Sequence, residues 1–235
     1  VHRFDVSEII FSLTSLSKSV HWETDVIPDM DRVRWYAAAV VYEDCIYVFG
    51  GRNKDCVDHR FSTCIRYQPT TSNPTWEKIA SMKTKRWLHA AVNVGDKIYI
   101  LGGLEITNHL DSMEIFDPSL NRFQNGPTLP IPLYSMTAVC IGKYIIVNGG
   151  LTRRKRINRK TFLFDTEQKI WKTIDSPSMY TLRFSHRATI LQKDKIILSG
   201  GRDCRVSTTP LETIVGTMEW ISWNELIHGK RWEDR

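Results

Sequence analysis

Short apolar runs recur along the chain, and each of them ends at a pair of glycines. The pairs are Gly50-Gly51, Gly102-Gly103, Gly149-Gly150 and Gly200-Gly201, at spacings of 52, 47 and 51 residues. The runs that precede them read CIYVF, KIYIL, YIIVN and KIILS. Because runs of this length bounded by turn-forming residues are typical of buried strands, each run predicts one β-strand.

Further strands are predicted on both sides of each glycine pair. A stretch rich in small or β-branched residues comes before it: AAAVV (37–41), HAAVN (89–93), MTAVC (136–140) and HRATI (186–190). A polar loop and a third strand come after it: TCIRYQP (63–69), SMEIFDP (112–118), KTFLFDT (160–166) and LETIVGT (211–217). A fourth strand is centred on a large aromatic residue: Trp76, Phe123, Trp171 and Trp220. Each unit is therefore four short strands, and the helix-like candidate is the short segment 7–17.

A single four-stranded sheet of this size cannot bury both of its faces. Stacking the sheets side by side buries these faces, and radial closure protects the edges. Small side chains on the first strand suit a crowded position near an axis, and the aromatic on the fourth strand fills the wider outer gap between sheets.

The pattern resembles the kelch repeat, whose marks are a double glycine, a later aromatic and a Trp beyond it. The corresponding pairs here are Tyr67/Trp76, Phe116/Phe123 and Phe164/Trp171. Phe123 replaces the usual Trp, and Val215 stands where an aromatic is expected. The resemblance implies an all-β, kelch-type β-propeller with about four full four-stranded blades and a half blade.

The repeat also sets the expected domain limits. A partial blade is predicted over 1–33, because VHRFDV and SVHWETDV resemble a third and a fourth strand. Full blades are predicted over 34–82, 83–129, 130–179 and 180–230, and 231–235 is predicted to start a truncated next blade. We therefore expect the chain to be a fragment of a closed propeller.

Composition limits the kinds of protein to which this chain can belong. The net charge is +6, and six basic side chains lie in LTRRKRINRK (151–160), so the excess is local. The five cysteines form no CxxC pair, which favours reduced thiols and an intracellular protein. Within the cell, we expect the cytoplasm rather than the nucleus. No run is long enough to span a membrane, and the histidines lack metal-site spacing, so we expect no membrane span, no metal and no cofactor.

The candidate site lies on the face that carries the loops after the second strands. Each unit opens with Arg34, Arg86, Leu133 or Arg183, an aromatic follows, and Arg52 and Arg202 come directly after glycine pairs. In kelch propellers that act as substrate adaptors, arginines at such positions grip acidic peptides. The resemblance implies that a partner protein with an acidic loop or peptide binds through Arg34, Arg52, Arg86, Arg202, Trp35, Trp87 and Tyr134.

Structural roles compete with this interpretation. The opening arginines could brace neighbouring blades through loop carbonyls, and the aromatics that follow could pack between blades. His89 and His186 share one repeat position, which favours a structural role. The segment Arg153–Lys160 could be a solvated loop, a site for an acidic partner or a targeting signal.

Three functions remain open, and a non-catalytic interaction module is favoured because no nucleophile motif is visible. Such a module could be the substrate-recognition part of a ubiquitin ligase adaptor. The alternative is a kelch-type enzyme acting on a small sugar near the axis, where Glu105 and Asp203 could contribute acid or base groups. Nucleic-acid binding through 151–160 is disfavoured because aromatics are not interleaved with the basic residues.

Overall fold

The computed structural model describes residues 27–53, 60–106, 108–174, 182–191, 194–202, 218–228 and 233–234. Its strands are β1 (Ala38–Tyr42), β2 (Cys45–Phe49), β3 (Cys64–Tyr67), β4 (Trp76–Ile79), β5 (Ala90–Val94), β6 (Lys97–Leu101), β7 (Leu104–Glu105), β8 (Asn108–His109), β9 (Met113–Asp117), β10 (Arg122–Gly126), β11 (Thr137–Ile141), β12 (Tyr144–Asn148), β13 (Thr161–Asp165), β14 (Ile170–Ile174), β15 (Arg187–Leu191), β16 (Lys195–Ser199), β17 (Met218–Ser222) and β18 (Glu233–Asp234). One short helix, α1, spans Trp223–Ile227.

The strands form four antiparallel four-stranded sheets and one small hairpin. The sheets have the orders β1-β2-β3-β4, β5-β6-β9-β10, β11-β12-β13-β14 and β15-β16-β17-β18, and β7 pairs with β8. The four predicted second strands coincide with β2, β6, β12 and β16, so this part of the prediction is confirmed. The two strands predicted for the partial blade, at 1–6 and 19–26, and the helix candidate at 7–17 lie outside the described residues, as does the strand predicted at 211–217.

The four sheets stand around a common axis as propeller blades. Their first strands β1, β5, β11 and β15 are successive neighbours. A chain of backbone hydrogen bonds links the blades just before these strands: Leu88 N–H donates to Tyr36 O at 3.0 Å, and Ser135 N–H donates to Leu88 O at 2.8 Å. Ser185 N–H continues the series by donating to Ser135 O at 2.8 Å. The all-β propeller expected from the repeat is therefore confirmed.

The core lies between adjacent blades. Phe49, Ile98 and Phe116 are buried between the first and second blades. Leu101 and Phe162 belong to a larger cluster between the second and third. Because each sheet covers the apolar face of its neighbour, side-by-side stacking achieves the burial that one sheet alone lacks.

The aromatic pairs that marked the repeat pack as ring pairs across the third and fourth strands. Phe164 and Trp171 face each other in register with ring centroids 4.9 Å apart. The indole N–H of Trp171 also donates to Pro127 O of the preceding blade at 3.3 Å. The half-buried Trp171 therefore joins two blades, and the equivalent pairs are Tyr67–Trp76 at 5.2 Å and Phe116–Phe123 at 4.7 Å.

The fourth blade differs from the prediction in its strand assignment. Trp220 was expected on a fourth strand, but it lies on β17, which pairs with β16 as the third strand. Ile221, which is fully buried, fills the core position there, so the aromatic was a misleading marker. The fourth position is occupied by β18, in the region where the first strand of a following blade was expected.

Candidate functional site

Double glycines build the face that carries the loops after the second strands. Gly102 and Gly103 have φ values of +57° and +96°. A Cβ on Gly102 would lie 2.4 Å from Leu133 O of the next blade, and one on Gly103 would lie 2.8 Å from Trp87 O of its own blade. Two backbone segments therefore approach this pair so closely that only glycine fits.

The residue after each glycine pair forms a backbone bridge with the aromatic near the start of its own blade. In the first blade, Trp35 N–H donates to Arg52 O, and Arg52 N–H donates to Trp35 O, both at 2.8 Å. The four bridges are Trp35–Arg52, Trp87–Leu104, Tyr134–Leu151 and Phe184–Arg202. They place equivalent side chains at the same end of each blade.

The opening arginines are buried braces, which corrects their assignment to the partner-binding set. Arg34 donates through Nη1 to Gly50 O at 3.0 Å and to Thr63 O at 2.9 Å. Arg86 has no exposed surface and donates to Gly102 O at 2.9 Å and to the backbone carbonyl before β9 at 3.2 Å. Burial lowers the pKa of both guanidinium groups from its ordinary value. Both guanidinium groups are hydrogen-bonded to loop carbonyls and buried, so a partner cannot reach these arginines.

Arg86 also has a buried acidic partner that the sequence did not reveal. Its Nη2 lies 2.7 Å from Oε1 of Glu114, whose side chain is 3% exposed. The same carboxylate accepts hydrogen bonds from the backbone N–H groups of Lys83 at 2.7 Å and Thr84 at 3.1 Å. This ion pair ties the segment that enters the second blade to the third strand of that blade.

The third blade opens with Leu133, and Asn158 takes over the bracing role there. The Asn158 amide Nδ2 donates to Gly149 O at 3.2 Å and to Lys160 O at 2.7 Å. These carbonyls occupy the repeat positions of the two that Arg34 and Arg86 bind in their own blades. The apparent break in the arginine ring is therefore compensated by an amide. An Asn three residues before the third strand of the unit that lacks Arg was the available signal.

The guanidinium of the predicted site residue Arg52 lies over two aromatic rings. Its Cζ lies 4.4 Å from the ring centroid of Trp87 and 5.5 Å from that of Tyr36, and the two rings are 5.6 Å apart. We call Tyr36, Arg52 and Trp87 the Arg52 cluster. Within the part of the chain that the structure describes, Arg52 Nε and Trp87 Nε1 make no hydrogen bond. Tyr36, which the sequence analysis did not single out, is 51% exposed.

The other predicted site residues have different surroundings. Trp35 is 41% exposed beside Arg52. Tyr134 is 8% exposed and packs with Leu104 and Leu151. It therefore packs between blades, as the competing interpretation expected, and is not available for contact with a partner. Arg202 is half-buried and is held through its backbone by Phe184. The structure therefore brings Arg52, Trp87 and Trp35 together on an accessible surface and separates them from Arg34, Arg86 and Tyr134.

The two repeated histidines are buried. Burial, followed by the charge of a nearby arginine, lowers the pKa of His89 and of His186 from 6.5 to about 3. Both imidazoles are therefore neutral at physiological pH. Their Cβ atoms lie against the second glycine of their own blades, Gly103 and Gly201, in agreement with a structural role.

The structure describes one of the two groups considered for enzyme chemistry. Glu105 is half-buried on β7, whereas Asp203 lies outside the described residues. No group of three or more His, Cys, Asp or Glu side chains with the geometry of a metal site occurs in the described ranges. No helix within the described part of the chain is long and apolar enough to cross a membrane.

Comparisons with known proteins agree with this architecture. The model of the KLHDC2/KLHL20/DRC7 Kelch-repeats domain matches residues 8–201. The chain is 30% identical to Kelch-like protein 33 of Homo sapiens over 136 residues, which cover 57% of this chain and 25% of that protein. It is 28% identical to Beta-scruin of Limulus polyphemus over 178 residues, which cover 73% of this chain and 19% of that protein.

More distant similarities give the same fold. The chain is 20% identical to an F-box/kelch-repeat protein of Arabidopsis thaliana over 171 residues, which cover 68% of this chain and 43% of that protein. The solved structure of YjhT superposes with a TM-score of 0.73 at 12% identity, and the match covers 90% of this chain and 68% of that one. The chain spans only 25% and 19% of the lengths of Kelch-like protein 33 and Beta-scruin.

Proposed function

Because the chain belongs to the kelch-repeat family, we propose that it is a non-catalytic interaction module that binds a partner polypeptide at the Arg52 cluster. The observation that carries the proposal is a half-buried guanidinium stacked against two aromatic rings. Within the described ranges, no carboxylate neutralises it. Such a guanidinium can donate hydrogen bonds to the carboxylate of an acidic side chain from another molecule.

The chemistry of the cluster fits a binding hot spot. Arg, Trp and Tyr are the residue types that contribute most to protein interfaces, because they combine large contact area with directional polar groups. The exposed rings of Trp35 and Tyr36 supply apolar area next to Arg52. A short peptide segment with one acidic side chain would place its carboxylate on Arg52 and its neighbouring side chain on Tyr36.

A random-peptide display experiment tests the proposal. The chain is immobilised, enriched peptides are sequenced, and the affinity of one enriched peptide is measured against the unmodified chain and the Arg52→Ala variant. We expect enriched peptides to contain Asp or Glu, and Arg52→Ala to weaken binding about tenfold or more, as loss of a central interface arginine does. Arg122→Ala removes an exposed arginine from β10 and serves as the control. Enrichment of peptides that bind both variants equally well would contradict the proposal.

We propose further that the full-length protein acts inside the cell, in the cytoplasm rather than the nucleus, as the substrate-recognition part of a ubiquitin ligase adaptor. The similarity to Kelch-like protein 33 and to an F-box/kelch-repeat protein supports this role. The test is to fuse an enriched peptide to a reporter protein and to co-express it with the full-length protein. We expect reporter abundance to fall and to recover on proteasome inhibition; an unchanged abundance would contradict the adaptor role.

A further inference from the structure

A second element on the same face is a basic hairpin formed by residues 151–160. It follows Gly150 just as Arg52 follows Gly51, so both lie at the same end of the propeller. Leu151 and Ile157 bridge across its base, and Asn158 N–H donates to Gly150 O at 2.8 Å. Its turn is closed by Thr152 N–H donating to Arg156 O at 2.9 Å and by Lys155 N–H donating to Thr152 O at 2.8 Å.

The base of this basic hairpin is anchored in the protein. Leu151 is buried in a small apolar cluster with Leu104 and Tyr134, and Ile157 and Phe184 pack against it. The Asn158 side chain, which is bound to Gly149 O and Lys160 O, fixes the returning strand. The hairpin therefore presents its tip in a defined position, which lowers the entropy that binding would cost.

All six basic side chains of the hairpin are exposed: Arg153, Arg154, Lys155, Arg156, Arg159 and Lys160. No carboxylate of the described ranges lies within salt-bridge distance of any of them. Side chains of one sign held this close concentrate the local potential and attract a partner of opposite charge.

We propose that the basic hairpin is a second docking site, separate from the Arg52 cluster, and that it takes a carboxylate-rich segment of a polypeptide partner. This proposal rests on the proposed function in one respect, because both assume that the partner is a polypeptide. Four of the six cations are arginines, whose planar forks bind carboxylates bidentately.

The chemistry of the hairpin disfavours the other polyanions. It contains no aromatic residue on which the bases of a single-stranded nucleic acid could stack. Its two aliphatic side chains, Leu151 and Ile157, point into the protein and leave no apolar tip that would enter a lipid surface. A flexible acidic chain needs neither feature, because carboxylates alone engage the arginines.

The test measures binding of a fluorescein-labelled oligoglutamate peptide by fluorescence anisotropy at about 150 mM salt. The hairpin variant carries R153Q, R154Q, K155Q and R156Q, and it retains Asn158 and the buried base. The matched control carries K78Q, R122Q, K169Q and K172Q, which removes four exposed cations from outer strands and turns of the first, second and third blades, outside the hairpin. Thermal unfolding of each variant establishes that its fold is intact.

We expect the hairpin variant to bind the peptide about tenfold more weakly or worse, since four exposed ion pairs are lost together. We expect the matched control and Arg52→Ala to change the affinity less than about twofold. Equal losses in the hairpin variant and the matched control would overturn the proposal, because they would indicate net charge alone. A loss confined to Arg52→Ala would also overturn it, while supporting the Arg52 cluster as the acidic site.

Two further probes decide the class of partner. Phosphatidylserine-containing vesicles and a short DNA duplex are measured with the same variants at the same salt. We expect both to bind more weakly than the peptide. Tighter hairpin-dependent binding of either one would overturn the choice of a polypeptide. The peptide-display experiment tests Arg52, whereas the anisotropy experiment tests the hairpin. The proposed function and this inference can therefore fail independently.

Discussion

Asn158→Ala offers a direct test of how the third blade is braced. The Asn158 side chain is buried, at 3% exposure of the residue, and it makes three hydrogen bonds. It donates to Gly149 O and to Lys160 O, and its Oδ1 accepts from Lys160 N–H at 3.1 Å. Alanine would remove the partner of all three backbone groups, of which Gly149 O is buried and the two of Lys160 are partly buried.

The expected cost follows from those three groups. A buried polar group left unsatisfied costs about 1–3 kcal/mol, and Lys160 lies close enough to the surface for water to replace part of its loss. We therefore expect Asn158→Ala to lower the free energy of unfolding by about 3 kcal/mol. Urea unfolding followed by tryptophan fluorescence measures the change, provided that the slope of the transition is preserved.

The same reasoning makes a sharper prediction about Leu133. Leu133→Arg alone should be strongly destabilising, because the new guanidinium is buried and Asn158 already occupies the carbonyls that it would bind. In the Asn158→Ala background those carbonyls are free, so the arginine should act as Arg34 and Arg86 do. We expect the double variant to lose at least about 1 kcal/mol less unfolding free energy than the two single variants lose when their losses are added.

Two outcomes would refute this account. The first concerns Asn73, an exposed asparagine whose substitution by Ala should change the unfolding free energy by no more than about 0.5 kcal/mol. Asn158→Ala refutes the account if it lowers the unfolding free energy no more than Asn73→Ala does. The other is additivity of Leu133→Arg and Asn158→Ala, which would mean that the arginine does not reach the carbonyls that the amide had bound.

Two further predictions concern the repeated positions near the axis. Burial lowers the folded-state pKa of His89 and His186 to about 3, so protonation favours the unfolded chain. The stability that depends on the neutral imidazoles is complete only well above the unfolded-state pKa of about 6.5, and it falls by about 2 kcal/mol per histidine as the pH is lowered from about 7 to about 5. His89→Met, which copies Met136 of the third blade, should remove its share of this dependence in urea titrations; an unchanged pH profile would contradict the assignment. Gly50→Ala should cost at least about 2 kcal/mol more than Gly95→Ala, because both have φ of +58° but only at Gly50 would the new Cβ meet a backbone atom, Arg86 O at 2.5 Å. Equal costs in thermal unfolding would show that the close approach is relieved by a small backbone shift.

Much of the fold was predictable from local patterns. The double glycines located the second strands to the residue, and the pair Phe164/Trp171 marked the third and fourth strands of its blade. The prediction failed in the fourth blade, where Trp220 lies on the third strand. There the segment between the glycine pair and the third strand is longer than in the other blades, and one aromatic residue does not distinguish two adjacent strands of a sheet.

The candidate site was predictable only as a face of the propeller. The sequence grouped Arg34, Arg52 and Arg86 because a repeat gives equivalent positions to similar residue types. The structure separates them by burial: Arg86 has no exposed surface, whereas Arg52 is half-buried against Trp87. Tyr36 and Glu114 escaped notice, since their neighbours come from other strands or from the next blade.

The sequence by itself determined the repeat, the strand type and the positions where glycine is obligatory, because strand period and turn chemistry act between residues close in the chain. Only the tertiary structure decided which cations brace the blades and which meet solvent. That distinction depends on carbonyls and rings contributed by neighbouring blades, such as Gly149 O for Asn158 and the Trp87 ring for Arg52. Stacking whole blades brings those groups together, and no local pattern encodes their distances.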